Sequence, residues 1–307
     1  TDAKGIKMRK EALRPATRKA ADKKVGKYVV RLASGEKSNS KRMAQVGTVY
    51  SIAKEVRRPE DIMRVKDEKV VDLKPRARAR NKRVEASVVR DPFEVINDLF
   101  EEAHRRDPEM KRPWAMLIDG NGSQLESIKS LMTLHKAEHT TLILDFVHVL
   151  EYLWKAAYSF YPPGSKEAEN WVRERALKIL QGKVSSVARG MQQSATKRGL
   201  KADKLKAVKK CHDYLLKYAD LLRYDQYLAQ GLPIATGVIE GACRHLVKDR
   251  MDLTGARWGL ARAEAVLKLR ALNSSGDFED YFEFYKEKSL QKVNASLYKP
   301  TPFRNAA

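Results

Sequence analysis

Two aspartates each close a short apolar run of strand length, a position from which a carboxylate can bind a metal ion or transfer a proton. Asp119 follows Trp114–Ile118 and precedes a Gly-Asn-Gly turn, and Asp145 follows Thr140–Leu144. Open α/β sheets bind their ligands outside the carboxyl ends of strands, so two such ends indicate a site. Simpler interpretations stay open: Asp-Gly is a common turn pair, and Asp145 is suited to cap a helix that starts directly after it.

Three further residues are candidates for the same chemistry. His148 lies one helical turn after Asp145, and Glu240 lies among small and apolar residues. A helix there would bury most of one side, where a carboxylate is costly unless it is paired or metal-bound. An ion pair with Arg244, four residues later, is the ordinary alternative for Glu240. Asp2 is the third candidate, although nothing in its local sequence singles it out.

The other histidines and the cysteines give weaker signals. His135 and His139 are four residues apart, but no acidic partner in a known motif accompanies them. His212 stands beside Cys211 with equally little support. Cys211 and Cys243 are the two cysteines of the chain and lack metal-ligand spacing. The sequence therefore predicts neither a disulfide framework nor a structural zinc site.

The charge of the chain indicates a polyanionic partner. It carries 61 Lys and Arg against 39 Asp and Glu, a formal net charge of +22. Residues 1–90 hold 27 basic and 11 acidic side chains, a net of +16, which leaves +6 for the remainder. Nucleic acid is the commonest partner of such a basic region, and binding of this kind weakens as salt rises. A solvated basic surface is the alternative.

A group of basic residues follows Glu240 and is expected to hold DNA near the site. Arg matches phosphate geometry, and an exposed Trp can stack on a displaced base. The candidates are Arg244, Lys248, Arg250, Arg257 and Trp258. A solvated helix face with a core Trp is an equal alternative. Trp154 and Trp171 are expected in the core.

The elements that position these residues follow from apolar periodicity. The two apolar runs and a helix at 123–135 between them predict a βαβ unit with parallel strands. Before this unit we expect a helix at 17–24, a strand at 44–52, an exposed basic loop at 74–83 and a helix from Pro92 to near Asp107. After it we expect helices through 146–228 with breaks at 161–164 and 198–199, then helices at 233–249 and 259–272.

Several stretches together resemble a known family. They are Ile118–Asn121, Leu144–Trp154, Pro233–Trp258 and the amino-terminal Asp2–Arg14. In these stretches the chain is similar to DDE transposases of bacterial insertion sequences, in the ISKra-type group. The resemblance covers nearly the whole chain and is looser between residues 55 and 110.

The resemblance implies an α/β fold, a ribonuclease H-like mixed sheet interrupted by a large all-helical insertion. By it, Asp2, Asp119 and Glu240 are the catalytic triad and the metal ligands, and Asp145 and His148 form an accessory Asp-x-x-His element. The resemblance also implies four domains. Residues 1–145 form the first part of the core, with a basic arm at about 74–90, and a helical insertion follows at 146–232. The catalytic-Glu helix and the closing helix lie at 233–288, and a loose tail at 289–307.

The implied activity is DNA strand cleavage and strand transfer with two Mg²⁺ ions, for which Mn²⁺ can substitute. Mg²⁺ prefers oxygen ligands, and two ions about 3.5–4 Å apart activate the attacking oxygen and stabilise the leaving one. The expected partners are the transposon ends and the target, both double-stranded DNA, bound by a homodimer. No membrane is expected as a partner, and the expected location is the cytoplasm, associated with the nucleoid.

Other functions stay open beside this one. By the resemblance, we expect most of the first carboxylate strand and an upstream DNA-recognition region to lie before Thr1. The main alternative is therefore a truncated, catalytically inactive remnant that only binds DNA. A structure-selective nuclease on the same core, and an RNA-binding adaptor that uses the basic arm at 74–90, are the others.

Overall fold

Three antiparallel strands form the larger sheet of the computed structural model, which describes residues 1–23, 39–63, 77–235, 237–253 and 255–297. The strands β1 (Asp2–Lys7), β2 (Lys41–Ser51) and β3 (Arg80–Ser87) lie side by side in this order. Asp2 pairs with Val46, which in turn pairs with Ala86. Two short helices, α1 (Pro15–Asp22) and α2 (Pro59–Ile62), lie in the connections.

The expected basic loop at 74–83 is wrong for residues 80–83, which belong to strand β3 (Arg80–Ser87). Residues 74–76 lie outside the described residues. Val84 and Ala86 alternate into the core, whereas Arg83 and Glu85 point outward and approach to 3.7 Å. The frequent basic residues hid a two-residue alternation that is typical of a half-buried strand.

The predicted βαβ unit is confirmed. Helix α3 (Pro92–Arg106) leads to β4 (Ala115–Ile118), α4 (Gly122–Leu134) and β5 (Thr141–Leu144). The two strands are parallel, and Ile118 pairs with Leu144 at their carboxyl ends. Each strand has four residues and is closed by an aspartate, so both aspartates emerge at one edge.

The first residue of the chain links the two sheets. The ammonium group of Thr1 donates a hydrogen bond to the carbonyl of Leu117 over 3.4 Å. This contact brings the start of β1 close to β4, while β1–β3 and β4–β5 form two separate sheets. An apolar cavity of about 370 Å³ lies next to this contact, between the ends of β2 and β4.

Five helices follow β5, as expected for residues 146–228. They are α5 (Phe146–Phe160), α6 (Lys166–Leu180), α7 (Val184–Lys197), α8 (Ala202–Lys217) and α9 (Tyr224–Ala229). The breaks predicted near 161–164 and 198–199 are confirmed, and Gly182 adds another. Their apolar residues join those of β4 and β5 in one continuous core, which includes Leu144, Val149, Leu153 and Leu215.

The carboxyl-terminal helices cover the antiparallel sheet. Helix α10 (Gly237–Cys243) continues through a π-helical turn, Arg244–Lys248, into α11 (Asp249–Met251). Helix α12 (Leu260–Ser275) packs on β3, where the Glu264 carboxylate accepts hydrogen bonds from the Ser87 hydroxyl and the Val88 amide. These helices share a second core with β1–β3.

The expectation of a loose tail from residue 289 is wrong as far as residue 297, because Phe278–Leu297 form α13. Glu, Lys and Leu favour a helix, and left-handed Gly276 ends α12 just before it. The other tail residues, 298–307, lie outside the described part of the chain. Across the described residues, every helix is too short or too polar to cross a bilayer.

Candidate functional site

Asp119 and Asp145 lie side by side at the carboxyl edge of the parallel strands. The amide of Asp145 donates to the carbonyl of Ile118 over 2.8 Å, which continues the strand pairing to the very end. The Asp119 carboxylate accepts from the amide of Asn121, and the buried Asp145 carboxylate accepts from Val147, each over 2.8 Å. Asp145 thus also caps α5, as its simpler interpretation proposed.

Asp2 joins this edge from the neighbouring sheet. It is the first residue of β1, directly after the Thr1 contact to β4. Burial raises the pKa of the Cys243 thiol, and the charge of Asp2 and a hydrogen bond with its carboxylate raise it further. This bond connects the start of β1 to α10, the helix that carries Glu240.

Glu240 lies within electrostatic reach of the same residues. Partial desolvation raises the pKa of its carboxyl group, Asp145 and Asp2 raise it further, and His148 opposes them. Its helix is anchored beside the site because the amide of Phe146 donates to the carbonyl of Ile234 over 2.9 Å. We refer to Asp2, Asp119, Asp145 and Glu240 as the acidic cluster.

The alternative ion pair between Glu240 and Arg244 does not occur among the ion pairs of the described residues. Arg244 instead approaches Asp249, with 3.8 Å between its Nε and Oδ1 of the carboxylate. The helix changes from α to π geometry at Arg244, so residues four apart no longer lie directly above one another. Glu240 remains exposed at the surface.

His148 contributes an unsatisfied group to this region. It lies on the first turn of α5, and its Nδ1 is buried without a hydrogen-bond partner within the described residues. A buried polar atom without a partner is uncommon, so His148 is a candidate for ligand binding or proton transfer. His148 lowers the pKa of Glu240, whereas the neighbouring carboxylates raise it.

The donor atoms and the charge of the acidic cluster suit a hard divalent cation, but its side chains are not arranged as a complete metal site. Carboxylate oxygens are the ligands that Mg²⁺ prefers, and crowded negative charges favour a cation. In the described part of the chain, no three His, Cys, Asp or Glu side chains are arranged so that they could hold a metal ion. Side-chain movement would therefore have to accompany metal binding.

Four tyrosines of the helical segment, residues 146–229, hold the backbone around the acidic cluster, and no sequence motif marked them. Their hydroxyl groups donate to carbonyls at the strand ends: Tyr214 to Asp119, Tyr218 to Gly120, Tyr224 to Leu144 and Tyr227 to Leu142. Gly120 has φ +86°, and an added Cβ would lie 3.1 Å from the Tyr214 ring, so this turn requires glycine. The available signal was the spacing within each pair, four residues from Tyr214 to Tyr218 and three from Tyr224 to Tyr227.

Three lysines lie around the same aromatic residues. The Tyr152 and Tyr214 rings stack with centroids 3.8 Å apart, and the ammonium groups of Lys155 and Lys210 lie 5.5 and 5.8 Å from the Tyr152 centroid. Lys217 lies 5.0 Å from the Tyr218 centroid. We call Lys155, Lys210 and Lys217 the site lysines. Tyr214 connects them to Asp119, whose carbonyl it binds.

The five residues expected to contact DNA lie on one surface segment, and four of them are exposed: Arg244, Lys248, Arg250 and Arg257. Trp258 differs, because its indole packs against the second core and donates to the Met251 carbonyl over 3.1 Å. Arg250 lies over its ring at 5.6 Å. The core alternative therefore describes this tryptophan. Trp171 is buried in the first core, while Trp154 is partly buried against it.

The remaining histidine and cysteine candidates have structural contacts. His135 stacks on Phe100 and bonds the Asn97 side chain over 2.9 Å, and His139 lies against Trp114. Cys211 is buried in the first core, and burial raises its thiol pKa to about 12.

Comparison with known proteins identifies no relative: no protein-family model matches the chain, and neither the curated proteins nor the solved structures contain a significant match.

The tyrosine contacts make a testable prediction about stability. Replacing Tyr224 by Phe removes the 2.7 Å hydrogen bond to the Leu144 carbonyl, which is fully buried. We expect a loss of about 1–3 kcal/mol in the free energy of unfolding, measured by urea titration. Tyr158→Phe is the matched control, because that side chain is 42% exposed and should change stability by less than about 0.5 kcal/mol. Equal effects of the two substitutions would contradict the assignment.

Proposed function

We propose that this chain is a transposase of the DDE type that cuts and joins DNA strands with divalent cations. Asp2, Asp119 and Glu240 would hold the cations, and Asp145 and His148 would assist. The observation that carries the proposal is the acidic cluster: carboxylates from β1, β4, β5 and α10, far apart in sequence, converge on one edge. Structural ion pairs would bring opposite charges together, whereas this edge gathers like charges.

The strand arrangement supports a ribonuclease H-like core. Such a core carries its first catalytic Asp on a central strand, and β1 pairs with β2 on one side while Thr1, just before it, reaches β4 on the other. The helices of residues 146–229 stand between Asp145 and Glu240, where the resemblance to transposases puts an insertion. Both features support the proposal independently of the acidic residues themselves.

The carboxylates of the acidic cluster would have different roles in the reaction. When bound, two divalent cations would activate a water or a 3′-hydroxyl and stabilise the leaving oxygen. Asp119 is held on a rigid turn by Tyr214 and Tyr218, so it is the fixed oxygen donor. Glu240 lies on an exposed helix surface, where desolvation and the neighbouring Asp145 and Asp2 raise its pKa, so its carboxylate would be stabilised by the charge of a bound cation.

The helical segment offers a positive surface for the DNA backbone. Residues 183–217 contain ten basic and two acidic side chains, a net of +8, which exceeds the whole excess of residues 91–307. Two of the site lysines, Lys210 and Lys217, lie at the end of this segment that contacts the turn after Asp119. Phosphates bound there would lead a strand towards the acidic cluster, and Arg244, Lys248, Arg250 and Arg257 would hold DNA beyond Glu240.

A chain that only binds DNA is the second candidate, favoured by the lack of an assembled group of metal ligands within the described residues. It would keep the positive surfaces and their salt-sensitive binding. Only the carboxylate-dependent reaction separates it from the transposase.

The first prediction of the proposal concerns cleavage. We expect the chain with Mn²⁺ or Mg²⁺ to nick supercoiled plasmid and to join an oligonucleotide 3′-hydroxyl to it, and EDTA to stop both reactions. Glu240→Gln should slow both by at least about 100-fold, because a metal ligand is lost without a change in shape. Glu126→Gln, an exposed carboxylate on α4, is the matched control and should react as the unaltered chain does.

The outcomes of this assay separate the candidates. Nicking without joining would indicate a nuclease on the same core. DNA binding without either reaction in both metals would contradict the transposase and favour the DNA-binding protein. Equal rates for Glu240→Gln and the unaltered chain would remove Glu240 from the site.

A second prediction concerns the site lysines. Lys210→Gln combined with Lys217→Gln should weaken DNA binding and reduce the slope of log affinity against log salt by about two, one for each lost phosphate contact. Lys166→Gln combined with Lys178→Gln, both exposed on α6, is the charge-matched control. Fluorescence anisotropy over a salt series measures both, and identical slopes for the two variants would contradict the contact.

A further inference from the structure

Helix α7 separates its apolar and polar residues onto two sides. Its apolar residues, from Val184 to Ala195, are buried against the neighbouring helices α6 and α8. The exposed side chains opposite them fall within an arc of about 140°, at 100° per residue. We call this surface the α7 face, and its residues are Arg189, Gln192, Gln193, Thr196 and Lys197. The buried side fixes the helix, so the α7 face points to solvent.

The α7 face lies in a long stretch of the chain without negative charge. No Asp or Glu occurs between Glu174 and Asp203, although 39 of the 307 residues are acidic, and this stretch has seven Lys and Arg. Among the ion pairs of the described residues, none involves Arg189 or Lys197. The Nε of Arg189 donates to the carbonyl of Ser185 in its own helix over 3.3 Å. The surface is therefore positive and suited to a polyanion.

The residue types of the α7 face are those that read the edges of base pairs. Arg donates two hydrogen bonds to guanine, Gln pairs with adenine through one donor and one acceptor, and Thr serves either base. Helix α6 differs, because it exposes Glu167, Glu169 and Glu174 beside its basic residues. Such mixed charge is typical of a solvated surface. The amides and the missing acids of α7 favour base contacts instead.

The connection between α6 and α7 suits the entry of α7 into a groove. Only residues 181–183 join the two helices, and Gly182 has φ +77°. A helix, a short glycine turn and a second helix are the arrangement that presents its second helix to the major groove of DNA. Lys183 and Lys201 are exposed beyond the two ends of α7, where the phosphates that border the groove would meet them.

We propose that α7 enters the major groove of double-stranded DNA and reads a guanine with Arg189 and an adenine with Gln193. The two residues lie four apart, about 6 Å along the helix axis, which is close to two base-pair steps. The inference rests on duplex DNA as the partner in the proposed function. It goes further by naming residues that select the sequence, and it does not require cleavage.

The test is a selection by the full chain from a pool of DNA duplexes with a random centre, in EDTA so that no strand is cut. We expect an enriched motif with a guanine and an adenine about two base pairs apart. Arg189→Ala should lower discrimination at the guanine, and Gln193→Ala at the adenine, roughly 5- to 150-fold each. Arg173→Ala, exposed on α6, is the matched control and should leave the motif unchanged.

Two further variants guard against changes in folding. Gln193→Arg should move the preference at its position from adenine to guanine, which a misfolded chain cannot do. Lys197→Gln should leave the motif unchanged, weaken binding to all duplexes alike and reduce the slope of log affinity against log salt by about one.

The outcomes separate this inference from the proposed function. A motif that changes with these substitutions supports the inference, whether or not the chain cuts DNA with Mn²⁺. Cleavage without an enriched motif, or a motif indifferent to Arg189→Ala and Gln193→Ala, would overturn the inference and leave the proposed function standing. Equal affinity for double-stranded RNA would also overturn it, because side chains cannot read the deep, narrow major groove of an RNA helix. A chain without affinity for duplex DNA would overturn both.

Discussion

The hydrogen bonds from four tyrosines to backbone carbonyls hold the candidate site in place. Parallel strands of only four residues leave carbonyls without strand partners at their ends, and buried carbonyls need a donor. Tyr224 and Tyr227 supply it along β5, and Tyr214 and Tyr218 supply it at the turn after β4. The helical segment is therefore part of the core that shapes the site, and it shares one apolar interior with the strands.

The geometry that follows concentrates negative charge. Asp145 and Asp2 both raise the pKa of Glu240, and Asp2 also raises that of Cys243, so folding brings like charges together. Such a cluster costs free energy unless protons or a cation compensate it. The surrounding lysines and the overall charge of +22 make the chain attractive to a polyanion, while the acidic edge suits a cation. Their juxtaposition fits chemistry on DNA phosphates.

Local patterns predicted much of the fold and less of the site. The βαβ unit and the helices after β5 were visible because apolar periodicity and glycine breaks are local. Strand β3 was hidden by its arginines, and α13 by its lack of a buried face. The tyrosine contacts join residues that are far apart in the sequence, and the π-helical turn changes which residues of its helix face one another. Neither feature can be recognised from a short stretch of sequence. Asp2 was singled out by resemblance alone, and Glu240 by its apolar neighbours together with the resemblance. The approach of both residues to Asp145 depends on tertiary structure.

The most direct test of the account is the binding of Mn²⁺ to the chain, followed by calorimetry and by the electron paramagnetic resonance of the free ion. We expect saturable binding of two ions at the acidic cluster, strengthened by DNA. Asp119→Asn should abolish it and leave the fold intact, because Asp119 is the donor on the rigid turn. Equal binding by the two chains, or no binding by the unaltered chain even with DNA, would contradict the central claim.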